Sequence, residues 1–254
     1  MEANQLQAVA LTNQGLERSR NEDSCFAASS GENALLVVAD GMGGHRAGNV
    51  ASELVIIEAE NAWLELEKCC AEKGADIRKI IEDFIREANR LIIEEADQNP
   101  TQKGMGTTVT AAFLCRQNLT VGHVGDSRAY LINAEKITLI TKDHSLPEQL
   151  IESGQITEEE ARCHPQRHIL TRALGISSKL TVDLFEEQVE QGSTVLLCTD
   201  GLTNLVQDEE ILALVNQYGD PQQTAEALIE QANRYGGFDN ITVVIATGIG
   251  GRQA

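Results

Sequence analysis

Two short apolar runs, each ending in an Asp-Gly pair, constrain the fold of this chain more than any other feature. One runs from Leu35 to Ala39 and ends at Asp40-Gly41, and the other runs from Thr194 to Thr199 and ends at Asp200-Gly201. Both are too short for a helix and predict buried strands. Each strand would bring a carboxylate to the rim of a core. The glycine beside it would let the backbone come close to whatever the carboxylate holds.

Similar patterns predict further strands around two groups of helices. Strands are expected at residues 6–11, 24–28, 34–39, 105–114, 119–125, 128–132, 136–141, 180–185, 194–199 and 241–246. Period-3.6 patterns predict helices at about 46–68, from 77 to about 92, at 208–215 and at 220–233. Asp220 can cap the last of these, with Pro221 at the first helical position and Gln223 at the third. One short helix is also expected in the polar segment 142–175, where Thr157-Glu158-Glu159-Glu160 fits a capping box. The strands between 105 and 141 suggest an antiparallel meander. We expect one domain over residues 1–254, a sheet core with helices on its outer faces.

Charge and cysteine usage limit the partners and the compartment. The net charge of -19 disfavours nucleic acid and anionic membrane surfaces. Six cysteines without a C-x-x-C pair suit a reducing cytoplasm, and Cys115 and Cys198 fit small core residues. No signal peptide and no run long enough to span a bilayer are evident, so a cytoplasmic location is expected.

Four aspartates flank the apolar strand runs, namely Asp40, Asp126, Asp200 and Asp239. If the strands lie side by side, these carboxylates converge at one rim of the core. Clustered carboxylates repel one another and call for cations. Because the ligands are oxygen atoms, Mg²⁺ or Mn²⁺ is favoured over zinc.

A pair of such ions suggests phosphate chemistry. Two ions about 4 Å apart can bind one hydroxide and clamp a phosphoryl oxygen. An arginine would complete a phosphate site, and Arg18 and Arg20 in the first polar loop are both candidates. The Gly-rich turn after Asp40 lacks the spacing of a Walker loop or a dinucleotide fingerprint. No Ser-His-Asp arrangement stands out, so attack by metal-bound water is the natural chemistry.

An ordered set of motifs now resembles the metal-dependent Ser/Thr protein phosphatases of type 2C, in their compact bacterial form. The motifs span nearly the whole chain in the order of that family. They are Gly15-x-x-Arg18-x-x-Asn21-Glu22-Asp23, Asp40-Gly41-Met42-Gly43-Gly44-His45, Gly104-Met105-Gly106-Thr107-Thr108, Gly125-Asp126-Ser127-Arg128, Asp143-His144-Ser145-Leu146, His164-Pro165-Gln166-Arg167, Leu170-Thr171-Arg172-Ala173-Leu174-Gly175, Thr199-Asp200-Gly201-Leu202 and Asp239-Asn240.

The resemblance implies a fold and a ligand set. The fold is an α+β four-layer α/β/β/α sandwich, with two antiparallel sheets flanked by helical pairs. One metal would be held by Asp40, Asp200 and Asp239. A second would be held by Asp40 and the Gly41 carbonyl. Glu22 and Asp23 would support these metals directly or through water. Asp126, with help from Asp200, would bind a third, weaker metal. Arg18 would bind the substrate phosphate.

The resemblance also implies a substrate flap and a difference in proton donation. The flap covers about residues 145–175, and its expected residues are His144, His164, Arg167 and His168. Animal relatives carry a histidine directly after the Asp-Gly pair, where this chain has Met42. His45, three residues later, is too far along the chain to be assigned as the acid, which stays open.

The expected function is hydrolysis of phosphoserine and phosphothreonine in proteins, by a metal-bridging water or hydroxide with two to three Mn²⁺ or Mg²⁺. We expect a monomer that acts on phosphorylated proteins in signalling, opposite protein kinases. Two alternatives remain. A catalytically inactive binding module of the same fold would lack metal-dependent turnover, and a hydrolase for other phosphate esters would prefer nucleotides to phosphopeptides.

Overall fold

Two antiparallel sheets face each other, and helices cover the outer face of each. The computed structural model describes residues 6–43, 47–70 and 75–250. The strands are β1 (Gln7–Asn13), β2 (Asp23–Ser30), β3 (Asn33–Met42), β4 (Gly106–Thr107), β5 (Val109–Cys115), β6 (Asn118–Val124), β7 (Arg128–Ile132), β8 (Ile137–Leu139), β9 (Asp183–Gln188), β10 (Thr194–Cys198) and β11 (Ile241–Thr247). The helices are α1 (Gly48–Cys69), α2 (Ile77–Gln98), α3 (Leu146–Glu152), α4 (Glu158–Arg162), α5 (Asp200–Thr203), α6 (Asp208–Tyr218) and α7 (Pro221–Arg234), with a 3₁₀ turn at Pro100–Gln102.

The strand order confirms the predicted four-layer fold. The first sheet has the order β1-β11-β10-β7-β8, and the second has β2-β3-β5-β6-β9 with β4 paired to β3. Every pairing in both sheets is antiparallel. Helices α1 and α2 pack on the second sheet, and α6 and α7 pack on the first.

Strand β3 shows why the first apolar run is continuous. Leu36 and Val38 point into the core between the sheets. Leu35 and Val37 point the other way, into the core under α1 and α2. Successive side chains of a strand alternate between faces, so a strand covered on both sides is apolar at every position. This burial fixes the strand that carries Asp40.

The predicted antiparallel meander is wrong. Strands β5 and β6 pair in the second sheet, whereas β7 and β8 pair in the first. The chain therefore crosses from one sheet to the other at Gly125-Asp126-Ser127. Gly125 has a φ of 123°, which favours glycine. The crossing places Asp126 between the two sheets.

Several predicted boundaries also change. Strand β3 continues through Asp40 to Met42, because Gly41 and Met42 pair with Thr107 and Gly106 of β4. The predicted strand 105–114 is interrupted at Thr108, and the strand predicted at 180–185 lies at Asp183–Gln188. The flap region carries two short helices, α3 and α4, where one was expected. The capping box at Thr157 and the Asp220 cap of α7 are confirmed.

One pair of cysteines differs from expectation. Cys70, after α1, and Cys115, at the end of β5, form a disulfide, so Cys115 is not simply a small core residue. Cys198 is buried and free, as expected. None of the helices in the described part of the chain is long and apolar enough to cross a membrane.

Candidate metal centre

Five carboxylates from both sheets meet at one edge of the sandwich. Asp23 on β2 pairs directly with Asp40 on β3 in the second sheet. In the first sheet, Asp200 begins α5 just after β10, and Asp239 lies two residues before β11. Asp126 lies at the crossing between the sheets. The convergence predicted for Asp40, Asp126, Asp200 and Asp239 is therefore present.

The carboxylates repel one another in a buried setting. Burial is the largest cause that raises the pKa of Asp40 well above its usual value, and neighbouring carboxylates raise it further. These neighbours are Asp23, Asp200, Asp126 and Asp239. Burial likewise raises the pKa of Asp126 and of Asp200. A cluster of this kind favours bound cations, because they remove the repulsion.

Asp23 belongs to this cluster but is held by hydroxyl groups of the opposite sheet. Thr199 Oγ1 donates to its Oδ2 at 2.9 Å, and Thr242 Oγ1 donates to the same oxygen at 2.6 Å. Burial raises the pKa of Asp23 to about 7, although these two hydrogen bonds lower it. Both threonines escaped the sequence analysis, although Thr199 directly precedes Asp200 in one of its motifs.

Gly41 and Glu22 lie together next to the start of α1. The Gly41 amide donates to the Glu22 carbonyl at 3.1 Å. A Cβ on Gly48 would come within 2.9 Å of the Gly41 carbonyl oxygen and 3.0 Å of the Glu22 carboxyl carbon. A Cβ on Gly41 would come within 2.3 Å of the Gly48 carbonyl oxygen. The two glycines therefore let a backbone carbonyl and a side-chain carboxylate share this corner.

The backbone of Asp40 is fixed by two threonines that the sequence analysis did not assign. Its amide donates to Thr108 Oγ1 at 3.0 Å. Its carbonyl accepts from Thr107 Oγ1 and from the Thr108 amide, both at 2.9 Å. Thr107 and Thr108 belong to the Gly104–Thr108 motif, but the motif itself did not indicate that they hold Asp40.

Arg18 reaches the cluster and Arg20 does not. Arg18 Nη2 pairs with Asp239 Oδ2 at 2.7 Å, and its side chain is half exposed. Arg20 is exposed, and its carbonyl accepts from Asn240 Nδ2 at 2.9 Å. Asn240 Nδ2 also donates to Gln14, and Asn240 Oδ1 accepts from the Glu22 amide. Asn240 therefore holds the Arg18 loop against the Asp239 loop, a function that the sequence analysis missed.

The predicted flap residues separate into two sets. His168 is near enough to Asp200 to lower the pKa of that carboxyl. His164 instead accepts the Gln166 amide within its own turn, and Arg167 is exposed. His45 lies outside the described residues.

His144 is buried at the base of the flap. Its Nδ1 accepts from the Gly125 amide at 3.0 Å, and its Nε2 lies 3.0 Å from Asp183 Oδ2. Arg172 Nη1 donates to Asp183 Oδ1 at 2.7 Å. These contacts join both ends of the flap to β9 and to the loop that carries Asp126. Asp183 and Arg172 were not predicted as site residues.

The donor set fits hard divalent cations. Every side chain in the cluster offers carboxylate oxygen, which Mg²⁺ and Mn²⁺ prefer. Within residues 6–43, 47–70 and 75–250, no three His, Cys, Asp or Glu side chains already stand at ligand spacing around one point. Arg18 pairs with one of the oxygens concerned. The assignment of individual ligands therefore stays a prediction.

Comparison with known proteins points to one family. A family model described as "Protein phosphatase 2C" matches residues 16–233. The chain is similar to the Serine/threonine phosphatase stp of Listeria monocytogenes, 38% identical over 94% of this chain and 95% of that protein. It is also similar to the Serine/threonine protein phosphatase PstP of Mycobacterium tuberculosis, 41% identical over 95% of this chain and 45% of that longer protein.

A solved structure extends the likeness to the fold. The catalytic domain of serine threonine protein phosphatase PstP, in complex with two manganese ions, matches with a TM-score of 0.82 and 38% identity. The match covers 96% of this chain and 98% of that one.

The raised pKa of Asp23 predicts how the metal-free protein responds to pH. The folded-state pKa is about 7 against a usual 3.8, so the stability linked to the protonated form is present at low pH and lost as pH rises through 7. With a chelator present at pH 8, Asp23→Asn should therefore unfold at a higher temperature than wild type. Its free energy of unfolding should be larger by up to about 4 kcal/mol. The difference should shrink to about 1 kcal/mol at pH 4.5, because most of the unfolded chain but almost none of the folded protein has lost this proton there. Melting followed by circular dichroism measures it, with Glu187→Gln as a control, and equal melting temperatures at pH 8 would contradict it.

Proposed function

We propose that this chain, which belongs to the protein phosphatase 2C family and is a protein-serine/threonine phosphatase, hydrolyses its phosphoproteins at the carboxylate cluster. The observation that carries the proposal is the convergence of five buried or half-buried carboxylates from both sheets, with Arg18 beside them. Such a cluster can bind hard cations and a phosphate together. Among the described residues, Arg18 pairs with one of the five carboxylates, and a plain structural role would not call for so much negative charge at one edge.

In this proposal the cluster holds two to three Mn²⁺ or Mg²⁺. Asp40, Asp200 and Asp239 hold one ion, and Asp40 with the Gly41 carbonyl holds a second. Glu22 and Asp23 support these ligands, and Asp126 holds a third ion with Asp200. When bound, the ions activate the attacking water and neutralise charge on the phosphoryl oxygens.

Arg18 binds the substrate phosphate. Its guanidinium lies at the rim of the cluster and is half exposed, so an incoming phosphate can reach it. A guanidinium matches the phosphate oxygens with two parallel hydrogen bonds, which also sets the orientation of the phosphorus. The Asn240 contacts keep the Arg18 loop in place, so this orientation is prepared before substrate binds.

The substrate is a phosphorylated protein segment that enters beside the flap, where Arg167 and His168 are exposed and His164 is half-buried. The proposal includes one catalytic domain over residues 1–254, acting as a monomer in the cytoplasm. The net charge of -19 supports a protein without nucleic-acid or membrane partners.

Phosphate release from synthetic phosphopeptides tests this function. With Mn²⁺ present, phosphoserine and phosphothreonine peptides should be turned over faster than a nucleoside monophosphate, and excess chelator should abolish the turnover. A preference for the nucleotide would favour the broader phosphate-ester hydrolase. No turnover with any metal would favour the inactive binding module.

Asp239→Asn tests the ligand assignment. Loss of one carboxylate charge from the cluster should lower kcat/KM for a phosphopeptide by about 100-fold or more, because metal binding weakens. Glu187→Gln on the exposed part of β9 is the matched control. A wild-type rate in a folded Asp239→Asn protein would show that the centre is misplaced.

Arg18→Lys tests the phosphate contact. Lysine keeps the charge but loses the two-pronged hydrogen bond, so KM for phosphopeptide should rise by about tenfold. Arg20→Lys is the control, because Arg20 points to solvent in the same loop. If the two variants had the same kinetics, Arg18 would not be the phosphate ligand.

A further inference from the structure

Two exposed apolar side chains flank the candidate phosphate site. Leu16 is 67% exposed and lies two residues before Arg18, and Phe238 is 60% exposed and lies directly before Asp239. Single exposed apolar residues are common and need no explanation. Here two of the most exposed ones in the described chain border the same ion pair, on loops that contact each other.

The contact between the two loops is direct. The Leu16 amide donates to the Gly237 carbonyl at 2.8 Å, and the Glu17 amide donates to the same oxygen at 3.3 Å. Arg18 then pairs with Asp239 at 2.7 Å. The apolar side chains and the charged pair therefore share one short piece of surface.

Two consecutive glycines make room for both apolar side chains. A Cβ on Gly236 would lie 2.4 Å from the ring of Phe238, and a Cβ on Gly237 would lie 3.0 Å from Leu16 Cγ. Both glycines have positive φ, 121° and 52°, which other residues rarely adopt. Phe238 thus lies over Gly236, and Leu16 lies against Gly237. Consecutive Cα atoms are about 3.8 Å apart, so the two side chains cover adjoining backbone.

We propose that Leu16 and Phe238 form a specificity surface that binds an aliphatic or aromatic residue of the substrate, within two positions of the phosphorylated residue. The proposal rests on the proposed function, because it requires Arg18 to bind the phosphate. An extended peptide advances about 3.4 Å per residue. With its phosphate at Arg18, its neighbouring side chains therefore fall over the surface that continues from that arginine.

An apolar neighbour suits this surface better than a charged one. The side chains of Leu16 and Phe238 offer no charge or hydrogen bond, and each leaves more than half of its surface to water. Covering that area with another apolar side chain removes it from water and favours binding. Contacts of this type tune the choice among substrates, while the carboxylates and Arg18 perform the common chemistry.

The test uses pairs of phosphoserine peptides that differ at one position, where one carries leucine and the other glycine. Four positions are tested in turn, the two before and the two after the phosphoserine. The measured quantity is the ratio of kcat/KM for the leucine and glycine peptides, with Mn²⁺ present. For wild type we expect a ratio of about five at one or more positions. In Leu16→Ala and in Phe238→Ala this ratio should fall towards one, whereas Phe238→Leu should keep it.

Leu64→Ala on α1 is the matched control, because Leu64 is similarly exposed and lies outside both loops, and it should keep the wild-type ratio. A wild-type ratio of one at all four positions would overturn the proposal, as would a ratio that survives both alanine variants. Light scattering on the same proteins provides a further check. Dimers of wild type that dissociate in both variants would make the surface a contact between copies and would also overturn it.

The design separates this proposal from the function on which it rests. Turnover of the glycine peptide by wild type supports the phosphatase function whatever the ratio. If wild type turned over none of the peptides, the proposed phosphatase function itself would be contradicted. A ratio is used because it cancels any general effect that a change beside Asp239 has on the rate.

Discussion

Mutual repulsion among clustered carboxylates is the constraint on which the rest of this structure depends. Four other carboxyl groups raise the pKa of Asp40, in addition to the effect of its burial. A fold can hold such a cluster only if other interactions fix the backbone that carries it. The apolar strands β3 and β10 supply that fixation, because both are buried completely along the run before the aspartate. Threonine hydroxyl groups then hold the Asp23 carboxylate and the backbone of Asp40 in place.

The cluster draws on two separate sheets, and this arrangement explains the shape of the fold around it. Asp23 and Asp40 come from the second sheet, Asp200 and Asp239 from the first, and Asp126 from the crossing between them. Each sheet needs its own helical cover, since its outer face is apolar. The flap is attached at the same edge, where His144 and Arg172 both contact Asp183. The base of the flap is thereby anchored beside the carboxylate cluster.

Much of this could be predicted from sequence, for identifiable reasons. Strand β3 was predictable because burial on both faces makes every position apolar. The α7 cap was predictable because Asp220, Pro221 and Gln223 are local neighbours. The crossing at Gly125 was not, since a short Gly-Asp-Ser turn suits a hairpin as well as a passage between sheets. Thr199 and Asp23 are 176 residues apart, and no local pattern announces such a contact. The family motifs distinguished Arg18 from Arg20, which residue chemistry alone left equivalent.

The hydrogen bonds of Asp23 link the chemistry of the site to the mechanics of the sandwich. Asp23 belongs to one sheet, and the two hydroxyl groups that hold it belong to the other. A small sliding of one sheet over the other would stretch these bonds and move the carboxylates of the two sheets apart. The geometry of the carboxylate cluster therefore depends on how the two sheets are aligned. Under the proposed function, mutations deep in the layer between the sheets would alter catalysis without contacting a metal or a substrate.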